Sequence, residues 1–390
     1  MIDAKFEILS GVVKTALSKV ESCSLTADIW TDTGNNQSYL GVTAHYLDEA
    51  ELKSMALTAH PLDQAHTKEY IAGMLRNVCV EWNIDLDKVS VIVTDGGANI
   101  VSAAKNVFGD ARHVICVDHS LSRITTVAID QSPLFEILLT KIRSIVAFFK
   151  KSINAADEIR ALQLKEVSSD ADILKLIKDE PTRWGSNYAM LERFIKLADK
   201  VSLILLRYTS VQMLTGSELA AATEGRDLLQ PVAHTITELE GETVSLSGKV
   251  IPLLKNMKRN IDSMSPTTEP VRQLKTMFQA QYERKFKDIE FVDTFSIATL
   301  LDPRFKTLYL CPLAHAKVLK NVSDMVQIAN KNSTTNPNKI SSFAPKAGSN
   351  NLWNFHHQMI SNKKNFSILA TSVNKIVIIE LQGARIIFEP

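Results

Sequence analysis

The sequence predicts an α/β fold with a mixed sheet, split by a large all-helical region. Three observations predict it. The first part of the chain carries apolar runs of strand length and strand period. Two of these runs lead into an acid, Asp28 in Leu25-Thr26-Ala27-Asp28 and Asp95 in Val91-Ile92-Val93-Thr94-Asp95. From about Leu134 the texture changes to strongly amphipathic helix. A chain of 390 residues has room for two or three domains, or for one domain with a large insertion.

Taken in order, residues 3–20 set Phe6, Ile8, Val12, Leu17 and Val20 at helical spacing, with charges between them. Residues 24–30 alternate, with Leu25, Ala27 and Ile29 on one face. Residues 39–46 place Leu40, Val42, Ala44 and Tyr46 on one face, and residues 52–60 read as a third strand. Gly34-Asn35-Asn36 and Asp48-Glu49-Ala50 are turn chemistry, so these three strands form an antiparallel meander. Thr67 opens a helix carrying Ile71, Leu75, Val78 and Trp82 on one side. Residues 89–94 are apolar enough for a buried parallel strand. A helix from about Asn99 leads to a short strand at 113–117. The order is β-β-β-α-β-α-β.

Leu134, Phe135, Leu138, Leu139, Ile142, Ile145, Val146 and Phe149 then mark a helix. Residues 157–166, 171–178, 187–215, 217–240 and 268–288 also read as helices. Residues 329–351, rich in Asn, Ser, Thr, Lys and Pro, read as a disordered linker. The expected organisation is an N-terminal helix (1–20), an α/β core (21–130), an all-α insertion (131–328), and a linker with tail (329–390).

Composition narrows the partners. Hydrophobic content of 45% with 22% charged residues is ordinary for a globular protein. A net charge of +1 excludes a global basic field, so DNA binding by this chain is expected to be weak and local. Cys23, Cys79, Cys116 and Cys311 form no Cys-x-x-Cys, which suits a reducing, intracellular setting. No apolar run reaches the ~18–20 residues that span a bilayer, and no membrane partner is expected.

Asp28 and Asp95 are the candidate chemistry. Two carboxylates brought together by a central sheet can hold Mg²⁺ or Mn²⁺. They form the front half of a two-metal site, in which ions about 3.5–4 Å apart clamp the attacking and leaving oxygens of a phosphoryl transfer. The plainer alternative is that each acid caps the turn after its strand. Cys116 and His119 have the spacing of half a zinc site, but zinc takes four ligands and no second pair is evident. A local structural role at a strand end is the better reading. Arg183-Trp184 either packs helices or contacts DNA, where base stacking on an indole is worth about 1–3 kcal/mol. His45, His60 and His66 lie near turns without ligand spacing. Lys255-Asn256-Met257-Lys258-Arg259 reads as a solvated helix face.

Several ordered motifs resemble one family. They are LTADIWT (25–31), YLGVTAHY (39–46), VIVTDGGANIV (91–101), CVDHSL (116–121), TRWGSNYAMLERF (182–194), TELEGETVSLSGKVIPLL (237–254) and ATLLDPRFK (298–306). They resemble the hAT-superfamily transposases, most of all their host-domesticated relatives, the zinc finger BED domain-containing proteins. The resemblance implies an RNase H-like fold, whose element order matches the one above, interrupted by a helical insertion. It implies that Asp28 and Asp95 descend from the first two acids of a DDE-type site. It places Cys116 and His119 at the family's Cys-x-x-His motif, and Arg183 and Trp184 at an Arg-Trp motif near the DNA end.

The departures matter as much. The family's third acid stands in a Ser-Glu-Arg motif within a C-terminal dimerisation segment, and neither that motif nor a BED finger is found here. Leu121-Ser122-Arg123 replaces the usual Leu-Asn-Leu, and Gly185 replaces an Asn. The chain therefore reads as a fragment or decayed copy. It is expected to be a non-catalytic, nuclear, DNA- and chromatin-associated regulator. No cofactor is expected, apart from Mg²⁺ or Mn²⁺ if the site is active and zinc if a BED finger exists upstream. Any homodimer would form through the family's C-terminal segment. The rival readings are a DNA transposase whose third acid lies elsewhere, and a decayed transposon product without function.

Overall fold

In the computed structural model, helix α1 (Ile2–Lys19) precedes three strands, β1 (Cys23–Asp32), β2 (Gln37–Asp48) and β3 (Glu51–Leu62). Residues 2–332 are described, apart from 33, 49–50, 167–168, 180–184 and 241–246. Helix α2 (Lys68–Glu81) leads to β4 (Val89–Thr94), and α3 (Ala98–Phe108) leads to β5 (His113–Ile115). The sheet order is β3-β2-β1-β4-β5. β1, β2 and β3 pair antiparallel, and β4 joins β1 and β5 in parallel. This is the mixed sheet that the element order predicted.

Alternation explains the strands. Leu40, Val42, Ala44 and Tyr46 of β2 and Leu25 and Ala27 of β1 are buried, and they face the same core as Ile71, Leu75, Val78 and Trp82 of α2. β4 is covered on both sides. Val89 and Ile92 belong to this first core, whereas Val91 and Val93 pack against a second, helical core. That two-sided burial is why its sequence is a continuous apolar run.

All described elements after β5 are helical: α4 (Val117–Asp130), α5 (Pro133–Lys151), α6 (Ile153–Leu164), α7 (Ser186–Leu205), α8 (Gly216–Leu239), α9 (Ser247–Ser263), α10 (Glu269–Phe286), α11 (Asp293–Leu301) and α12 (Pro312–Asn332). α5 buries Phe135, Leu138, Leu139, Ile142, Ile145, Val146 and Phe149 as its spacing predicts, whereas Leu134 is exposed. α8 starts with a reciprocal cap between Thr215 and Glu218. Glu224, further along α8, accepts from the backbone N–H and hydroxyl of both Thr267 and Thr268 at the start of α10. Those four bonds hold its carboxyl down at about 2, against the cost of partial burial.

Several expectations need correcting. Residues 171–178 are not a helix but one 3₁₀ turn (Asp170–Asp172) and an irregular segment. The side chain of Gln163 accepts the Leu174 N–H at 2.9 Å and donates to the Leu174 carbonyl at 2.9 Å. It thereby satisfies both backbone groups of Leu174 without a helix. α7 ends at Leu205, ten residues before Thr215 caps α8. α9 extends the helix face read at 255–259 back to Ser247, through an internal proline, Pro252. In α1 the period is helical, but the buried residues are Val13 and Leu17, while Phe6, Ile8 and Val12 are exposed. The expected linker began at 329, but residues 329–332 belong to α12, and the rest of the linker and the tail lie outside the described residues.

Candidate functional site

The register of β1 with β4 runs to Ala27 opposite Thr94. Asp28 and Asp95 are the next residue on each chain, so the two acids occupy neighbouring positions on backbones about 4.8 Å apart. The flanking Ala27 and Thr94 are buried. One step on, Asp28 is exposed and Asp95 half-buried, so both carboxylates reach solvent at the mouth of the sheet. β1 itself continues to Asp32, paired with β2 alone, so Asp28 marks the end of the β1–β4 pairing and not the end of its strand.

The Asp95 carboxylate is partly committed. Its Oδ1 accepts the Gly97 N–H at 3.0 Å, closing the turn that starts α3. A Cβ at position 97 would come within 3.1 Å of that oxygen, so glycine permits the close approach. Two hard carboxylates suit Mg²⁺ or Mn²⁺. Among the described residues, however, no three His, Cys, Asp or Glu side chains converge as a metal site needs. The pair by itself does not fit a two-metal centre.

The Cys116–His119 motif sits beside the first acid. The Cys116 N–H donates to the Thr94 carbonyl at 2.7 Å, which ties the start of α4 to the end of β4. Burial pushes the Cys116 thiol up, and the carboxylates of Asp118 and Asp28 add to the effect. Cys116 directly follows β5, one residue short of the end of the strand read at 113–117. It is the N-cap residue of α4, and His119 lies exposed in the first turn. β5 has only three residues because the helix takes over there.

Asp118 was not singled out from the sequence, where it is one acid in the first turn of a helix. Its Oδ1 is buried without a hydrogen-bond partner among the described residues. Burial, and then the nearby Glu240, push its carboxyl up to about 6. An unfolded Asp titrates near ~3.9. Stability is therefore fully present below about pH 4, and falls as pH rises through about 6, because folding disfavours the ionised form. Asp118→Asn is expected to raise stability by about 1–2 kcal/mol at pH 7.5, allowing for partial solvent screening. The gain should vanish by about pH 4. Urea unfolding at both pH values checks this, and an equal gain at both would refute the assignment.

Arg183 and Trp184 lie outside the described residues. Gly185, which follows them, precedes α7 in a left-handed conformation (φ +73°). The basic run of α9 is ion-paired: Lys255 with Glu290, and Lys258 with Asp262 and Glu283. His45 bridges Thr26 and Ser54, and His60 bonds the Pro61 carbonyl. The His66 carbonyl accepts from Asn99 beside an open depression of about 400 Å³ between the starts of α2 and α3.

Two family models match this chain. The ZBED1 RNase-like domain matches residues 26–139, and the ZBED1 RNase-like helical domain matches residues 114–223. The transposable element Hobo transposase of Drosophila melanogaster is 29% identical over 215 residues, covering 52% of this chain and 29% of that protein. Human zinc finger BED domain-containing protein 4 is 22% identical over 321 residues, covering 78% of this chain and 26% of that protein. The match thus spans under a third of the length of either relative.

Proposed function

We propose that this chain, a hAT-derived protein of the zinc finger BED type, acts as a non-catalytic, DNA- and chromatin-associated regulator of transcription in the nucleus. Its RNase H-like body serves as an interaction scaffold. The observation that carries this reading is the state of the acid pair. Asp28 and Asp95 keep neighbouring positions, yet Asp95 is turned into the start of α3 and the described residues bring no third acid to them. The similarity to zinc finger BED domain-containing protein 4 over 78% of the chain supports the same reading. No described helix is long and apolar enough to cross a membrane.

The similarity to Hobo transposase favours a second reading, a DNA transposase completed by a third acid beyond the described residues. Asp28 and Asp95 would then be the metal-holding pair, and Mg²⁺ would polarise the scissile phosphate. An assay on terminal-repeat DNA in Mg²⁺ or Mn²⁺ separates the two. Under the scaffold reading the DNA stays intact, and the chain fractionates with chromatin when expressed in cells. Metal-dependent nicking that is lost in Asp95→Ala would establish the enzyme instead.

A further inference from the structure

We infer that the open face of the sheet beside Asp28 binds an arginine side chain of a basic peptide. The inference deepens the scaffold reading and rests on it. The β1–β2–β3 meander has two faces, and the described residues cover only one. Leu25, Ala27, Leu40, Val42 and Ala44 face the core under α2. From the opposite face the helical core takes only Val91, Val93 and Val114, on β4 and β5, and nothing from β1, β2 or β3.

On that open face the pleat sets Asp28, Trp30 and Asp32 in a row along β1. Trp30 is 42% exposed and stacks on Tyr39 of β2, with ring centroids 5.6 Å apart and planes 20° apart. The Trp30 ring lies over Gly41, the residue that pairs with Asp28, and a Cβ at Gly41 would come within 2.7 Å of it. Ala59 and Pro61, opposite Gly41 and Tyr39 on β3, are exposed. The result is a flat aromatic shelf on a floor of small residues.

Charge selects the occupant. β1 and β2 contain no Lys or Arg. The Asp28 carboxylate forms no ion pair or hydrogen bond among the described residues, and Asp95 stands next to it. Asp32 adds a third negative charge, its oxygens held by the Gly34 N–H and the Asn35 amide. A phosphate-bearing ligand would meet these acids without a cation from the shelf. A guanidinium is complementary to both components, since it stacks on an aromatic face and forks onto a carboxylate. Asp28 and Trp30 are two residues apart on one strand, about 6.8 Å. A single guanidinium can therefore lie within about 6 Å of the ring centroid and still reach the carboxylate.

The test uses the full chain and a fluorescein-labelled Arg-Gly repeat peptide, read by anisotropy. A lysine-for-arginine version and an oligodeoxythymidine serve as comparisons. Binding of the arginine peptide is expected to weaken about three- to tenfold in Trp30→Ala and in Asp28→Asn. It should also weaken with lysine in place of arginine. Asp28 is exposed and has no hydrogen bond or ion pair among the described residues, so Asp28→Asn stays folded even if Trp30→Ala does not. No peptide binding, or unchanged affinity in Asp28→Asn, overturns the inference. So does tighter oligodeoxythymidine binding that is lost in Trp30→Ala, which would make the shelf a base-stacking surface. Chromatin fractionation that persists through such a failure leaves the scaffold reading standing.

Discussion

Arg143→Ala is expected to destabilise the helical region by about 3–5 kcal/mol, because it leaves a carboxylate buried without its cation. Arg143 on α5 donates from Nε to Asp179 at 2.6 Å, and it also binds Glu136 and Asn187. The Asp179 side chain is only 3% exposed. These carboxylates outweigh the cost of burying the guanidinium and hold its pKa above the ordinary Arg value. Asp179 ends the described part of the irregular segment, so the same pair ties that segment to α5. Arg143→Lys should restore little, since one ammonium cannot serve two carboxylates in a fork. Urea unfolding followed by circular dichroism reads the effect, and a loss below about 1 kcal/mol would show that Asp179 finds water or another partner.

Phe135→Ala should cost a similar amount, about 3–5 kcal/mol, as a large fully buried ring leaves a cavity. The ring fits a slot made by Gly225 of α8, where an added Cβ would lie 2.4 Å from Cε2 of Phe135. This predicts an opposite sign for one substitution in two backgrounds. Gly225→Ala in the wild-type chain overpacks the contact and should cost about 1–3 kcal/mol. In the Phe135→Ala background the slot is empty, and the same change should stabilise by up to about 1 kcal/mol, the helix preference of Ala over Gly. A double-mutant cycle measures the coupling. Additive effects would mean that α5 and α8 do not meet through this pair.

Local period and local chemistry carried much of the fold. The three alternating runs, the α2 face, the two-sided strand β4 and the long apolar stripe of α5 were legible because each is repeated over many residues of one segment. The order of these elements placed Asp28 and Asp95 on adjacent strands. Elements held by side chains from elsewhere were not legible. Residues 171–178 resemble a helix in isolation, but Gln163 takes both backbone groups of Leu174, and α9 survives Pro252 because Val250, Ile251, Leu253 and Leu254 are buried around it.

At the candidate site the division is the same. The sequence by itself determined which residue types stand at the mouth of the sheet: two acids, a Cys-x-x-His motif, and a Trp two residues beyond the first acid. Only the tertiary structure decided what each does there. Strand register set the acids side by side, and the cap of α3 took one oxygen of Asp95. The docking of α4 brought Cys116 near Asp28 and buried Oδ1 of Asp118 without a hydrogen-bond partner among the described residues. The second face of the meander, which no described helix covers with its apolar core, left Trp30 partly exposed. Register, desolvation and coverage depend on which distant segments come together, and a local pattern of residues does not contain that information.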